Sequence, residues 1–145
     1  MNCVCASTYF LAAVAKLKGP LGRRWASGEA LRAQVAVDGL RKELLGAGAS
    51  PMSYRLYDQT RLFGLLAAGS LVLEAIAPTT LADRRAGQMW ALNAFAMHWG
   101  IFALMGIRFR YQMSGVAFAP FFAIERVPLL LARGRRRHRR LLPRR

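Results

Sequence analysis

The sequence predicts an all-α fold, an integral membrane helical bundle of about three spans with amphipathic surface helices and a basic tail. Of its 145 residues 54% are hydrophobic, whereas soluble domains average about 45–50%. The formal net charge is nevertheless +15, because 22 Lys and Arg stand against 7 Asp and Glu. The apolar residues form blocks, and the basic residues lie between and after those blocks. This pattern predicts a multi-pass location in a membrane, the cell inner membrane for a bacterial protein.

Three apolar stretches predict the spans, since a helix needs roughly 20 mostly apolar residues to cross a bilayer. They cover residues 2–17, 62–81 and 87–107. Gly19 and Pro20 stop the first stretch, which is short for a full span. The two later stretches are rich in Gly, Ala and Ser, small residues that let membrane helices approach closely.

The connection between the first two spans predicts an amphipathic helix over residues 27–48, with Ser27 as its N-cap and Gly46 at its exit. Its apolar residues recur at near-helical spacing, so this helix is expected to lie along the membrane surface. Ser50 and Pro51 predict the start of another helix, which is expected to run directly into the second span.

Beyond the third span the sequence predicts an interfacial or re-entrant segment and then a basic tail. Residues 111–127 are apolar but interrupted by Gly115 and Pro120. The Arg-rich tail, residues 128–145, is interpreted as a disordered solvated end or as an electrostatic anchor for anionic lipid headgroups. The lipid bilayer is therefore the expected partner, and nucleic acid is not. The aromatic side chains expected at headgroup depth are Tyr111, Phe118, Phe121 and Phe122.

Polar residues within the later spans are candidate site residues. Glu74 lies near the middle of the second span, and Asn93 and His98 lie within the third. In a helical hairpin that turns near residue 84, Glu74 and Asn93 share a depth, and His98 lies roughly 6 Å away along the axis. One interpretation is an interhelical hydrogen bond. The other is a proton-handling or ligand site, because an ionisable group at that depth is costly.

Lys16 interrupts the first apolar stretch and is predicted at the end of its span, roughly 20 Å from Glu74. It is interpreted as an anchor that reaches for the membrane surface, or as a functional amine that acts as a base. Cys3 and Cys5 have no second pair and no nearby His, so no metal site is predicted.

Three segments, in order, form a further pattern. YFLAAVAKL covers Tyr9–Leu17, W-x-x-G-x-A-L covers Trp25–Leu31, and HWGIFALMGIRFRY covers His98–Tyr111. Together they resemble the vitamin K-dependent gamma-carboxylase-like family, whose integral-membrane part is the HTTM (horizontally transferred transmembrane) domain. The resemblance implies that residues 1–127 form the C-terminal half of such a domain.

The resemblance also implies a chemistry. In the family, the lysine that matches Lys16 is associated with oxygenation of vitamin K hydroquinone, which generates a base that deprotonates a glutamate side chain before carbon dioxide adds. A quinone or hydroquinone is the cofactor implied. Trp25 and Gly28 match the family segment and are candidate binding or structural residues, and His98 matches a polar helix position.

The lead hypothesis for function is an HTTM-type membrane protein without activity of its own. Several family helices precede the lysine segment and have no counterpart ahead of Lys16, so a separately encoded upstream half is an expected partner. One alternative is a lipid-quinone-dependent carboxylase or oxygenase with Lys16 as the base. Another is a membrane-anchored basic interaction module.

Overall fold

Helices form the fold of residues 2–122, the part of the chain that the computed structural model describes. No strand occurs in that range. The predicted tail, and the last residues of the predicted interfacial segment, lie outside the described residues. The α-helices are α1 (Asn2–Lys18), α2 (Glu29–Leu44), α3 (Pro51–Leu56), α4 (Thr60–Ala75), α5 (Arg84–Met105) and α6 (Arg110–Met113), and 3₁₀ helices cover Gly22–Ser27, Ala77–Leu81 and Val116–Phe121.

Local sequence signals set several helix ends. α1 ends just before Gly19 and Pro20. The predicted start at Ser50 and Pro51 is confirmed, because the Ser50 hydroxyl accepts a hydrogen bond from the Met52 N–H at 3.3 Å. The expected continuation into the second apolar stretch is wrong, since α3 ends at Leu56 and the chain turns before α4 begins.

The predicted surface helix is shorter than its sequence pattern. Ser27 is the last residue of a 3₁₀ helix, and its hydroxyl accepts from the Glu29 N–H at 3.3 Å. Gly28, with a φ of 85°, is the N-cap residue of α2. The helix ends at Leu44, and Gly46 follows in the left-handed region with a φ of 72°.

The core forms where α1, α5 and two of the 3₁₀ helices meet. The Trp90 indole N–H donates to the Leu73 carbonyl at 2.8 Å and ties α5 to α4. Phe118 and Phe121 are buried here, so their predicted place at headgroup depth is wrong, whereas Tyr111 is exposed. The buried members of this cluster are Ala6, Ala77, Trp90, Ala91, Ala94, Phe118 and Phe121.

The prediction of membrane spans is wrong for the described part of the chain. No helix within residues 2–122 is both long enough and apolar enough to cross a membrane. The integral membrane bundle and the multi-pass membrane location are corrected accordingly, while the described residues remain all helical.

Helix length and polarity explain the correction. α1 has 17 residues and α4 has 16, which is roughly 24–26 Å of helix against a hydrocarbon core of about 30 Å. The second apolar stretch does not form one continuous helix, because α4 ends at Ala75 and a 3₁₀ helix containing Pro78 follows. α5 is longer, with 22 residues. However, it carries Arg84 and Arg85 in its first turn as well as polar residues along its length.

Candidate functional site

An ion pair between Lys16 and Glu74 is the most buried ionic contact within residues 2–122. The Lys16 Nζ donates to Glu74 Oε1 at 2.5 Å. The Glu74 side chain is 8% exposed and that of Lys16 is 23% exposed. The sequence-based geometry separated these residues by roughly 20 Å of helix rise. They meet because α1 packs against α4, and because the residues lie near the C-terminal ends of α1 and α4 with long side chains.

The second oxygen of Glu74 is the unusual atom of this pair. Oε2 is buried and has no hydrogen-bond partner among the described residues. A carboxylate oxygen accepts readily, and leaving a buried polar atom unsatisfied costs about 1–3 kcal/mol. Because such atoms are rare in folded proteins, this one calls for a specific explanation.

Trp25 lies next to the pair and presents a second unsatisfied atom. The Lys16 Nζ is 5.3 Å from the centroid of the Trp25 ring, within cation–π range. The Trp25 Nε1 is buried and lacks an acceptor within the described range. An indole N–H only donates and a carboxylate only accepts. Two residues that contact one ammonium group therefore each carry a buried unsatisfied atom, and the two atoms have opposite hydrogen-bonding senses.

Gly28 holds the 3₁₀ helix that carries Trp25 against α4. Its φ is 85°, and a Cβ at this position would lie 2.4 Å from the Gly64 backbone nitrogen. A side chain would therefore be strained by the backbone conformation and would also clash with α4. The structure gives Gly28 this packing role.

An apolar cleft of about 700 Å³ opens beside the ion pair, with walls from α2, α4 and α5. This volume is within the roughly 300–1,000 Å³ of small-molecule sites. Lys16, Glu74 and Trp25 all line it. A second cavity of about 350 Å³ lies at the start of α5, but the charged residues in its wall, Asp83 and Arg84, are exposed.

His98 belongs to a different environment from Glu74. Its Nδ1 is 2.7 Å from the Ala94 carbonyl and its Nε2 is 3.4 Å from the Tyr9 hydroxyl. Phe109 and Phe118 pack against the imidazole ring. Burial lowers the pKa of His98, against smaller opposing effects of the Ala94 carbonyl and the Glu74 charge. The expected hydrogen bond between Glu74 and His98 is not formed.

Asn93 lies in the wall of the cleft but makes a local contact. Its Nδ2 donates to the Met89 carbonyl at 2.8 Å, and the residue is exposed. It does not bond to Glu74, although the hairpin geometry placed the two at one depth. Within residues 2–122 no three His, Cys, Asp or Glu side chains come together in a way that could hold a metal ion.

Sequence reasoning missed two relationships. Tyr9 contacts His98 through its hydroxyl, and burial raises the pKa of this phenol. Its only sequence signal was its position in the YFLAAVAKL segment. The pairing of Lys16 with Glu74 had a clearer signal, because each interrupts an apolar stretch with a charge of opposite sign.

The resemblance to the gamma-carboxylase-like family stays a prediction about this chain. Two of the residues that it singled out, Lys16 and Trp25, lie together at one end of the cleft, whereas His98 does not line it. No family model, no curated protein and no solved structure matches the chain.

Proposed function

We propose that this chain binds an elongated apolar small molecule in the cleft beside Lys16 and Glu74. The observation that carries the proposal is the buried Glu74 carboxylate. One of its oxygens is bound by Lys16 and the other has no partner within residues 2–122, at the wall of a cavity of about 700 Å³. Apolar pockets with a few convergent polar groups are the usual form of small-molecule sites.

The walls of the cleft suit an apolar body. Leu65 and Leu66 of α4 line it and are 73% and 39% exposed. Met97 and Ile101 contribute the facing wall from α5. Covering such surface is favourable by about 25 cal/mol per Å². A ligand that lies along the cleft is therefore held mainly by its apolar part.

A catalytic role for Lys16 as a base is the less favoured candidate. In the ion pair Lys16 donates to a carboxylate, and the ammonium form is the one suited to that contact. A base must instead give up this proton while it lies beside Glu74. Ligand binding uses the paired form directly, which is why we favour binding over catalysis.

Displacement of a fluorescent dye tests the proposal. N-phenyl-naphthylamine is uncharged and brightens in apolar surroundings, so it should bind the full chain and be displaced by n-decanol. Gly100 lines the cleft, and a Cβ there meets no heavy atom within 4 Å. Gly100→Phe should fill the cleft and weaken dye binding by about tenfold or more. The matched control, Gly100→Ala, should bind like the wild type.

Two results would contradict binding in this cleft. One is equal dye affinity in the Gly100→Phe and Gly100→Ala chains, with the same helix content by circular dichroism. The other is the absence of dye binding to the wild-type chain. Light scattering on the same samples detects a second copy of the chain as the occupant, which would also overturn the proposal.

A further inference from the structure

We infer that the ligand carries an uncharged head group that donates a hydrogen bond to Glu74 Oε2 and accepts one from Trp25 Nε1. The inference rests on the proposed function and names the ligand class. That class is an apolar chain ending in a hydroxyl or a primary amide, because both groups donate and accept.

Both atoms belong to residues that contact the Lys16 ammonium group. The Lys16 Nζ is 2.5 Å from Glu74 Oε1 and 5.3 Å from the centroid of the Trp25 ring. All three residues line the same cleft. Glu74 Oε2 and Trp25 Nε1 are the two buried side-chain atoms without a partner in the described part of the chain. Their hydrogen-bonding senses are complementary to a donor–acceptor group.

Charge excludes an ionised head group. Lys16 and Glu74 neutralise each other in the ion pair, and Gln34, Ser70 and Asn93 add only neutral polar groups to the walls. A carboxylate head would bring a second anion to Glu74 Oε2, which can only accept. An ammonium head would bring a second cation beside Lys16. Either ion would lose its hydration without a counter-ion of its own.

A water molecule is the competing occupant of the polar end, since water also donates and accepts. If a retained water satisfied both atoms, the head group of a ligand would make no difference to its affinity. The dependence of affinity on the head group therefore separates the two possibilities.

The test compares ligands that share one alkyl chain. The test measures how well each ligand displaces N-phenyl-naphthylamine from the full chain. The ligands are decane, n-decanol, decanamide, decyl methyl ether, decanoate and decylammonium. We expect n-decanol and decanamide to bind at least about tenfold tighter than decyl methyl ether, which accepts but cannot donate. The two ions should bind more weakly than the ether.

Two variants test whether Trp25 Nε1 and Glu74 Oε2 cause the preference for n-decanol. Trp25→Phe keeps an aromatic ring and removes the N–H, so it should weaken n-decanol about fivefold and leave decane unchanged. Glu74→Gln can present an amide N–H in place of Oε2, so the advantage of n-decanol over the ether should disappear. Circular dichroism checks the fold of both chains. If the Glu74→Gln chain does not fold, the head-group inference is tested by the affinities of the ligand series for the Trp25→Phe and wild-type chains.

Different results would contradict the head-group inference and the proposed function. Equal affinities for decane, the ether and n-decanol, with the dye displaced by all three, would overturn the head-group inference and leave ligand binding intact. Tighter binding of either ion than of n-decanol would overturn it as well. Absence of dye binding to the wild-type chain would instead overturn the proposed function.

Discussion

Glu74 combines deep burial with a charge that is satisfied on one oxygen only. Its cation, Lys16, is the one partner that the described residues supply, and it is itself mostly buried. Removing water from two charges costs several kcal/mol for each, and only close pairing offsets this cost. The energy of the site therefore depends on the pair as a unit.

Breaking the pair on one side should be much more damaging than replacing both members. Lys16→Met leaves the Glu74 charge buried without its cation and should lower the free energy of unfolding by about 3 kcal/mol. Lys16→Met combined with Glu74→Leu should recover most of that loss, because apolar side chains then fill the space. Urea unfolding of the two single variants and the double variant gives the coupling energy. Additive losses would show that the residues do not interact.

His98 gives the fold a pH dependence whose sign is fixed by burial. The pKa of His98 is lowered from its usual 6.5, so the unfolded chain binds a proton there at a pH where the folded chain does not. The contribution to stability is complete above about pH 6.5 and is lost as pH falls through that value towards the folded-state pKa. His98→Phe cannot bind this proton. Between about pH 7.5 and pH 5.5, its free energy of unfolding should fall less than that of the wild type, and equal falls would contradict the prediction.

At the scale of elements, the polar end of the cleft depends on the approach of two backbones. The 3₁₀ helix Gly22–Ser27 ends at Gly28, which lies against Gly64 of α4. Gly64 is itself close, since a Cβ there would lie 3.3 Å from the Ser27 carbonyl oxygen. This contact sets where Trp25 lies relative to α4 and therefore to Glu74.

Two glycines with similar backbone angles separate the cost of conformation from the cost of contact. Gly28 and Gly46 have φ values of 85° and 72°, but a Cβ at Gly46 meets nothing within 4 Å. Gly46→Ala should cost about 1–2 kcal/mol for the left-handed conformation alone. Gly28→Ala adds the clash with Gly64 and should cost at least about 2 kcal/mol more. Urea unfolding measures both, and equal losses would mean that the close approach contributes nothing.

Helix ends were predictable from local chemistry. Gly19 and Pro20 stop α1, and Ser50 and Pro51 start α3, since capping and the missing proline N–H act within a few residues. The end of α4 at Ala75, before Pro78, was not predicted, because the second span was placed by apolarity averaged over about 20 residues. The site was half predictable. Lys16 and Glu74 could be identified as candidates because each is a charge in an apolar stretch. Their contact could not be predicted, because the expected membrane spans placed the two residues at different depths, roughly 20 Å apart.

At the scale of the whole molecule, composition did not determine which apolar side chains are covered. Val4 and Leu11 lie seven residues apart on α1, and both are more than half exposed. Leu40 and Leu44 are similarly exposed near the end of α2. A hydrophobic fraction of 54% therefore coexists with much uncovered apolar surface. The membrane spans were predicted from this fraction together with the blocks that the apolar residues form, and neither property shows which surfaces are buried.

Net charge acts on the whole molecule in a second way. At +15 the chain repels itself, and compaction brings like charges closer. Position modifies this effect. Arg85 lies in the first turn of α5, where the helix dipole disfavours a cation, and Arg41 lies in the last turn of α2, where the dipole favours one. Both side chains are exposed.

Two substitutions with the same change in net charge separate repulsion from the helix dipole. Arg85→Glu relieves repulsion and places an anion at a helix N-terminus, so it should raise the free energy of unfolding by about 0.5–1 kcal/mol at low salt. Arg41→Glu relieves the same repulsion but loses a favourable cation, so its gain should be smaller or absent. Sodium chloride screens both effects. In urea unfolding, the wild type should become more stable as salt is added, and the difference between the variants should shrink towards zero. A difference that persists at about 1 M salt, where the screening length is about 3 Å, would mean that local packing, and not charge, distinguishes the two positions.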